Sequence, residues 1–151
     1  MPTITLPSEL TGALATPSTT QDTESDLFGV DLLFTDDLQL TSSGDYATVE
    51  GLDALRQSIR NRLLTNPGEY AVHPEYGCGL RAFCKKRGTQ SEIDALRQTI
   101  IDQLSQDDRI QKITKVDIAS FIQNNMPGVK IFIQILALGR ENSFQMQTFA
   151  D

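Results

Sequence analysis

The chain has 151 residues and a mass of 16.7 kDa, with 39% hydrophobic and 22% charged residues, which fits one soluble globular domain with a single core. Its formal net charge of −7 is unevenly placed, because residues 1–50 hold nine acidic groups and no Lys or Arg, and all thirteen basic residues follow. An acidic segment ahead of a near-neutral body excludes nucleic acid as the main partner, since phosphate binding needs a cationic surface. The acidic charge suits solubility first and a basic protein partner second. No apolar run approaches the ~20 residues of a membrane-spanning helix. The N-terminus shows neither the basic nor the apolar region of a secretory signal.

Residues 1–25 are rich in Thr, Ser and Pro and show little periodicity. Thr3-Ile4-Thr5-Leu6 has strand character, limited by Pro2, Pro7 and Pro17. The expectation is an extended acidic arm, disordered alone and ordered on a partner, ahead of a folded domain over residues 26–151. Asp26–Phe34 reads as an extended segment with Phe28, Val30 and Leu32 on one face and Gly29 permitting a bend. Asp36-Asp37 and Ser42-Ser43-Gly44-Asp45 are turn chemistry around Leu38 and Leu40, which predicts a loose hairpin.

Glu50–Leu64 is the first clear helix, because Val49, Leu52, Leu55, Ile59 and Leu63 recur at three- and four-residue spacing. Thr48 is its expected N-cap, and Arg56, Arg60 and Arg62 read as a solvated face. A connector, Leu63–Phe83, follows. Pro67 has no N–H and disfavours helical geometry at Asn66, while Gly68, Gly77 and Gly79 accept backbone angles that a side chain forbids. Glu69–His73 between these breaks is long enough for one short extended segment. Cys78 and Cys84, with His73 nearby, are too few for a closed zinc site and read as two reduced thiols; no metal or cofactor is expected.

Arg81, Lys85, Lys86 and Arg87 form a basic cluster around a short helical turn, suited either to an acidic partner or to solvent. Ser91–Ser105 is a second helix with Ile93, Leu96, Ile100 and Leu104 as its stripe, and Ser91 with Asp94 resembles a capping box. From Ile110 the period changes to two. Ile113–Ile122 is a strand with Val116, Ile118, Ser120 and Ile122 on one side, Asn124–Gly128 a turn, and Val129–Leu138 a strand with an all-aliphatic face. Gly139–Asn142 turns the chain again into a last strand, Ser143–Phe149. The fold class is therefore α+β: two amphipathic helices packed on a small antiparallel sheet with a C-terminal three-strand meander. The uncharged last strand is a candidate edge for pairing with another chain. Phe132, Leu136 and Leu138 oppose the aliphatic face, so that side also calls for cover by another layer or another protein.

A helix ending in Leu63-Leu64-Thr65, then Pro67-Gly68-Glu69, then Pro74-Glu75-Tyr76-Gly77-Cys78-Gly79-Leu80, resembles the baseplate wedge family of contractile tails. That family includes the small wedge protein and W protein of contractile-tailed phages and the related subunit of type VI secretion baseplates. The order of helix, Pro-Gly-Glu, Pro-x-Tyr-Gly, second helix and strands covers about residues 26–151; Pro67, Gly68, Glu69, Pro74, Tyr76 and Gly77 carry it. The family also has a Glu-Pro-Arg motif after its second helix. This chain has Asp107-Asp108-Arg109 there, so Arg109 matches, Asp107 stands for Glu, and the turn-enforcing Pro is absent.

The resemblance implies a structural protein of a baseplate, assembled in the bacterial cytoplasm. It implies contact to other wedge proteins through Asp107, Asp108 and Arg109, with hub or spike proteins as further neighbours. It also implies templating of the tail sheath subunit by strand exchange, with Ile131, Ile133, Ile135, Phe144, Met146 and Thr148 as the exchange residues. Two rival readings are a lysozyme-like glycoside hydrolase and a soluble regulatory binding module of the same fold. A glycosidase needs two carboxyls about 5–9.5 Å apart, one with a raised pKa. Glu69 and Glu75, the available pair, are separated by roughly 20 Å if the chain between them is extended. Both have a simpler use as loop anchors.

Overall fold

The computed structural model describes residues 27–35 and 37–149, so the arm expected over residues 1–25 lies outside the described residues. Among the described residues the elements run β1 (Val30–Leu32), β2 (Thr48–Glu50), α1 (Gly51–Leu64), α2 (Leu80–Cys84), α3 (Gln90–Leu104), β3 (Ile110–Gln123), β4 (Met126–Ala137) and β5 (Arg140–Phe149). β1 and β2 pair antiparallel as a small N-terminal leaf. β3, β4 and β5 form the meander, with β4 in the middle.

The core follows from the period-two pattern of β4. Val129, Ile131, Ile133, Ile135 and Ala137 all point to one face and are buried, while Lys130, Phe132, Gln134 and Leu136 on the other face are half-buried. Register brings Ile110, Ile113, Val116 and Ile118 of β3 beside this aliphatic row. The helices cover that face with Leu55, Ile59 and Leu63 of α1, Leu80 and Phe83 of α2, and Leu96, Ile100 and Leu104 of α3, in one continuous cluster. Each fully buried Ile or Leu contributes about 1.5–3 kcal/mol relative to exposure. No described element covers the opposite face. There Lys115 lies 5.8 Å from the Phe132 ring centroid and pairs with Asp117 at 2.7 Å, so a charged pair screens the largest apolar group.

The meander turns are tighter than the sequence predicts. Asn124 (φ 51°) and Asn125 (φ 60°) alone form the first turn, so Met126–Gly128 continues β4 instead of looping. Two consecutive positive-φ residues match the right-handed twist of the flanking strands, which Asn tolerates and Gly tolerates better. Asn125→Gly is expected to raise stability by about 0.5 kcal/mol, seen as a higher urea midpoint at unchanged slope. The second turn is Leu138 (φ 48°) with Gly139 (φ 79°), whose N–H donates to Gln111 Oε1 at 3.0 Å, so β5 starts at Arg140.

Three local expectations are corrected. Thr48 and Val49 lie in β2, so Glu50 is the N-cap of α1 and makes no side-chain cap bond; the Gly51 N–H donates to the Gly29 carbonyl at 3.1 Å instead. The capping box of α3 is Thr89 with Glu92, two residues earlier than Ser91 with Asp94. Asp94 is taken up by Arg97 at 2.6 Å. Finally, Phe28 does not share the face of Val30 and Leu32. Leu27 and Phe28 have helical backbone and Gly29 sits at φ 84°, which breaks the alternation, so Phe28 enters the core while Val30 and Leu32 face solvent.

Candidate functional site

The connector between α1 and α2 is a series of turns, not the short extended segment expected at Glu69–His73. Asn66-Pro67-Gly68-Glu69 closes with the Glu69 N–H donating to the Asn66 carbonyl at 3.0 Å, and Gly68 (φ 85°) takes the position that requires positive φ. Glu69 Oε2 reaches back to accept from the Asn66 backbone N–H at 2.8 Å and from Asn66 Nδ2 at 3.2 Å. The Gly68 N–H donates to the Pro74 carbonyl at 2.7 Å, tying both ends of the inner loop.

The second half of the connector terminates α1. A helix leaves its last carbonyls without intrahelical donors; here the Cys78 N–H donates to the Arg62 carbonyl at 3.0 Å and the Gly79 N–H to the Thr65 carbonyl at 2.9 Å. Gly77, at φ 109°, passes so close that a Cβ there would overlap the Thr65 carbonyl oxygen. The buried Gln103 of α3 holds the same stretch from the other side. Its Oε1 accepts from the Gly77 N–H at 3.0 Å and its Nε2 donates to the Glu75 carbonyl at 2.8 Å. Arg62 stacks 4.7 Å from the Tyr76 ring centroid and donates to the Gln103 carbonyl, so it belongs to this joint rather than to a solvated face. Burial pushes the Cys78 thiol up to about 12, against the opposing charge of Arg62, which keeps it protonated.

Glu69 and Glu75 line one open cleft of about 950 Å³ together with Arg60, Tyr70 and His73. Both carboxylates are exposed, Glu69 is bonded within its turn, and Glu75 stands 3.6 Å from His73.

At the corner between α3 and β3, Asp107 and Arg109 form a bidentate pair, Nε to Oδ1 at 2.8 Å and Nη2 to Oδ2 at 2.6 Å. The same guanidinium donates to the Phe28 carbonyl at 2.9 Å and to Ser58 Oγ at 3.0 Å, binding the leaf and α1 to the corner. Burial alone would raise the Asp107 carboxyl, but the hydrogen bonds and charge of Arg109 outweigh it and hold the group below the usual carboxylate range. The turn has Asp108 where the resemblance calls for a proline and is closed by the Ile110 N–H donating to the Asp107 carbonyl at 2.9 Å. Asp108 is exposed.

The two sheet edges differ. β3 carries register shifts at Ile110/Lys112 and Ile113/Lys115, the Lys115–Asp117 pair, and a Val116 carbonyl that accepts from Arg97 Nε at 3.2 Å. Such bulges and charges guard an edge against pairing. β5 has no charged residue from Asn142 to Phe149 and keeps an unbroken register with β4. Beside it a groove of about 310 Å³ runs between Arg56, Ile59 and Arg60 of α1 and Phe144 and Met146 of β5. Phe144, Met146 and Thr148 sit on this edge strand, half-buried on its inner side. Ile131, Ile133 and Ile135 lie on β4, both of whose edges are paired, and back the edge strand from the core.

Gln57 and Gln103 are absent from the sequence reading, and both are buried side chains that join separate elements. The available signal was position: Gln103 lies three residues after Ile100, within the apolar stripe of α3.

The family model described as contractile injection system sheath initiator matches residues 28–133, from the leaf through the connector and corner into β4. Curated proteins give no match. Among solved structures, a chain of the anti-feeding prophage (AFP) baseplate, from a 6-fold symmetrised cryo-EM structure, is similar in fold with a TM-score of 0.52 at 17% identity. The match covers 81% of this chain and 87% of that chain.

Proposed function

The chain belongs to the contractile injection system sheath initiator family, and from that premise we propose that it joins the baseplate wedge to the first sheath ring and templates sheath assembly by strand exchange at β5. Its role in a contractile injection system baseplate is structural. The observation that carries the finer reading is the contrast between edges: β3 is bulged and charged, and β5 is uncharged from Asn142 to Phe149, regular in register and flanked by a groove that Phe144 and Met146 line. A sheath strand adding to β5 gains backbone hydrogen bonds from the edge and apolar contact from Phe144 and Met146.

The wedge side of the protein is the Asp107-Asp108-Arg109 corner. Arg109 makes it rigid through its internal bonds, and exposed Asp108 is the group free to meet another wedge protein. Residues 26–151 form the wedge domain, with residues 1–25 ahead of it, and other baseplate, hub or spike proteins are the neighbours of the protein. The protein works in the baseplate, which assembles in the bacterial cytoplasm, and performs no catalysis. Glu69 and Glu75 serve the connector.

Gln145→Lys with Gln147→Lys tests the reading at two exposed β5 positions, where added charge blocks edge pairing without touching the core. Particles carrying both changes are expected to keep the subunit in the baseplate but show tubes without sheath by electron microscopy. Normally sheathed tails would rule out exchange at β5.

A further inference from the structure

The N-terminal leaf has its apolar face outward. β1 pairs Val30 with Glu50 and Leu32 with Thr48, and isolated bridges join Phe34 with Leu38 and Leu40 with Tyr46. Bridge partners share a face and residues two apart along a strand do as well. Val30, Leu32, Phe34, Leu38, Leu40 and Tyr46 therefore stand on one side of the leaf, and each is between 42% and 62% exposed. The opposite side, with Leu33, Gln39, Ala47 and Val49, is half-buried.

The orientation is fixed by hydrogen bonds. Gln57 of α1 donates from Nε2 to the Leu32 carbonyl at 2.7 Å and to Asp31 Oδ2 at 3.1 Å, and accepts from the Phe34 N–H at 3.0 Å. Arg109 holds the Phe28 carbonyl just before β1. The leaf cannot flip its apolar side inward without leaving the buried Gln57 amide unpaired. Six large apolar side chains held toward water by a clamp on their own backbone mark a surface that another molecule covers.

Charge selects the occupant. Exposed Asp37, Asp45 and Glu50 border the patch, while Arg60, Arg62 and Arg81 line the cleft at its Phe34 end. A second copy docking leaf to leaf would oppose like charges, and an anionic surface would be repelled. We propose that the outer face of the leaf is a docking site for a cationic amphipathic helix of a different protein subunit. The helix lays an apolar stripe over Leu32, Phe34, Leu40 and Tyr46 and brings Lys or Arg to the acidic border. This surface is separate from the β5 edge and stands independently of sheath exchange.

The test uses the full chain and a fluorescent amphipathic peptide of about 18 residues of leucine and lysine, long enough to be helical, with a leucine–glutamate peptide of the same pattern as its counterpart. Wild type is expected to bind the lysine peptide and not the glutamate peptide. Leu32→Ser with Leu40→Ser is expected to weaken binding by about tenfold or more, with an unchanged thermal midpoint because both positions are exposed. Asp37→Lys with Asp45→Lys is expected to reverse the preference. Lysine-peptide binding indifferent to the Leu32→Ser, Leu40→Ser pair overturns the proposal. Self-association of the wild type, or its binding to neutral phosphatidylcholine vesicles, overturns it as well if that pair of changes abolishes the effect.

Discussion

Gly77→Ala is expected to lower stability by about 3–4 kcal/mol, the sum of forcing a side chain into positive φ and overpacking a closed contact. The added methyl meets the Thr65 carbonyl oxygen, which cannot retreat because it accepts the Gly79 N–H that terminates α1. Moving Gly77 away instead breaks its bond to Gln103 and releases α3 from the connector. Gly68→Ala is the matched control: its φ of 85° is also positive, but nothing lies within 4 Å of the new methyl, so it should cost about 1 kcal/mol. Urea unfolding of the two variants checks the difference, and equal losses would mean that backbone strain alone makes Gly77 necessary.

Arg109→Met is expected to cost about 3–5 kcal/mol, because it leaves Asp107, only 10% exposed, as an uncompensated charge. It also frees the Phe28 carbonyl and Ser58 from their shared donor. Adding Asp107→Asn should restore part of the loss, since removing both charges is far less costly than removing one. The pH dependence has a definite sign. Asp107 is held below its unfolded value of about 3.9, so its stabilising contribution is fully present above about pH 4 and is lost as pH falls through the folded value. In Arg109→Met, burial dominates and raises the carboxyl instead, so acid protonates the folded state more readily than the unfolded one. The gap between wild type and variant should therefore be widest near neutral pH and narrow below about pH 4. A constant gap from pH 3 to 7 would show that the pair contributes through packing alone.

The elements that were legible in the sequence are those whose pattern and environment coincide. The alternation Val129-Ile131-Ile133-Ile135-Ala137 specifies a strand with one buried face, and that face is the core. The stripes of α1 and α3 likewise match the sides that pack. Boundaries were less legible, because capping signals compete locally: Ser91 stands two residues from Thr89, the cap of α3, and only the pairing of β2 with β1 removes Thr48 from α1. The connector motif was visible as backbone chemistry, but its partners were not. Gly77 needs its glycine because of Thr65 and Gln103, which come from different helices.

The sequence by itself determined the α+β class, the aliphatic core strand, the Pro-Gly-Glu and Pro-Glu-Tyr-Gly joint and the uncharged last strand, since each is encoded in periodicity or in residues a few positions apart. Tertiary structure alone decided three things. Period two states that Val30, Leu32 and Phe34 share a face without stating which way it points, and Gln57, 25 residues from Leu32, turned it outward. The Arg109 guanidinium finds Phe28 and Ser58 across 81 and 51 residues, which converts a corner motif into a clamp on α1 and on the residues leading into β1. One of the guards of the β3 edge is Arg97 of α3 reaching the Val116 carbonyl. All three are hydrogen bonds between elements that only the packed chain brings within reach.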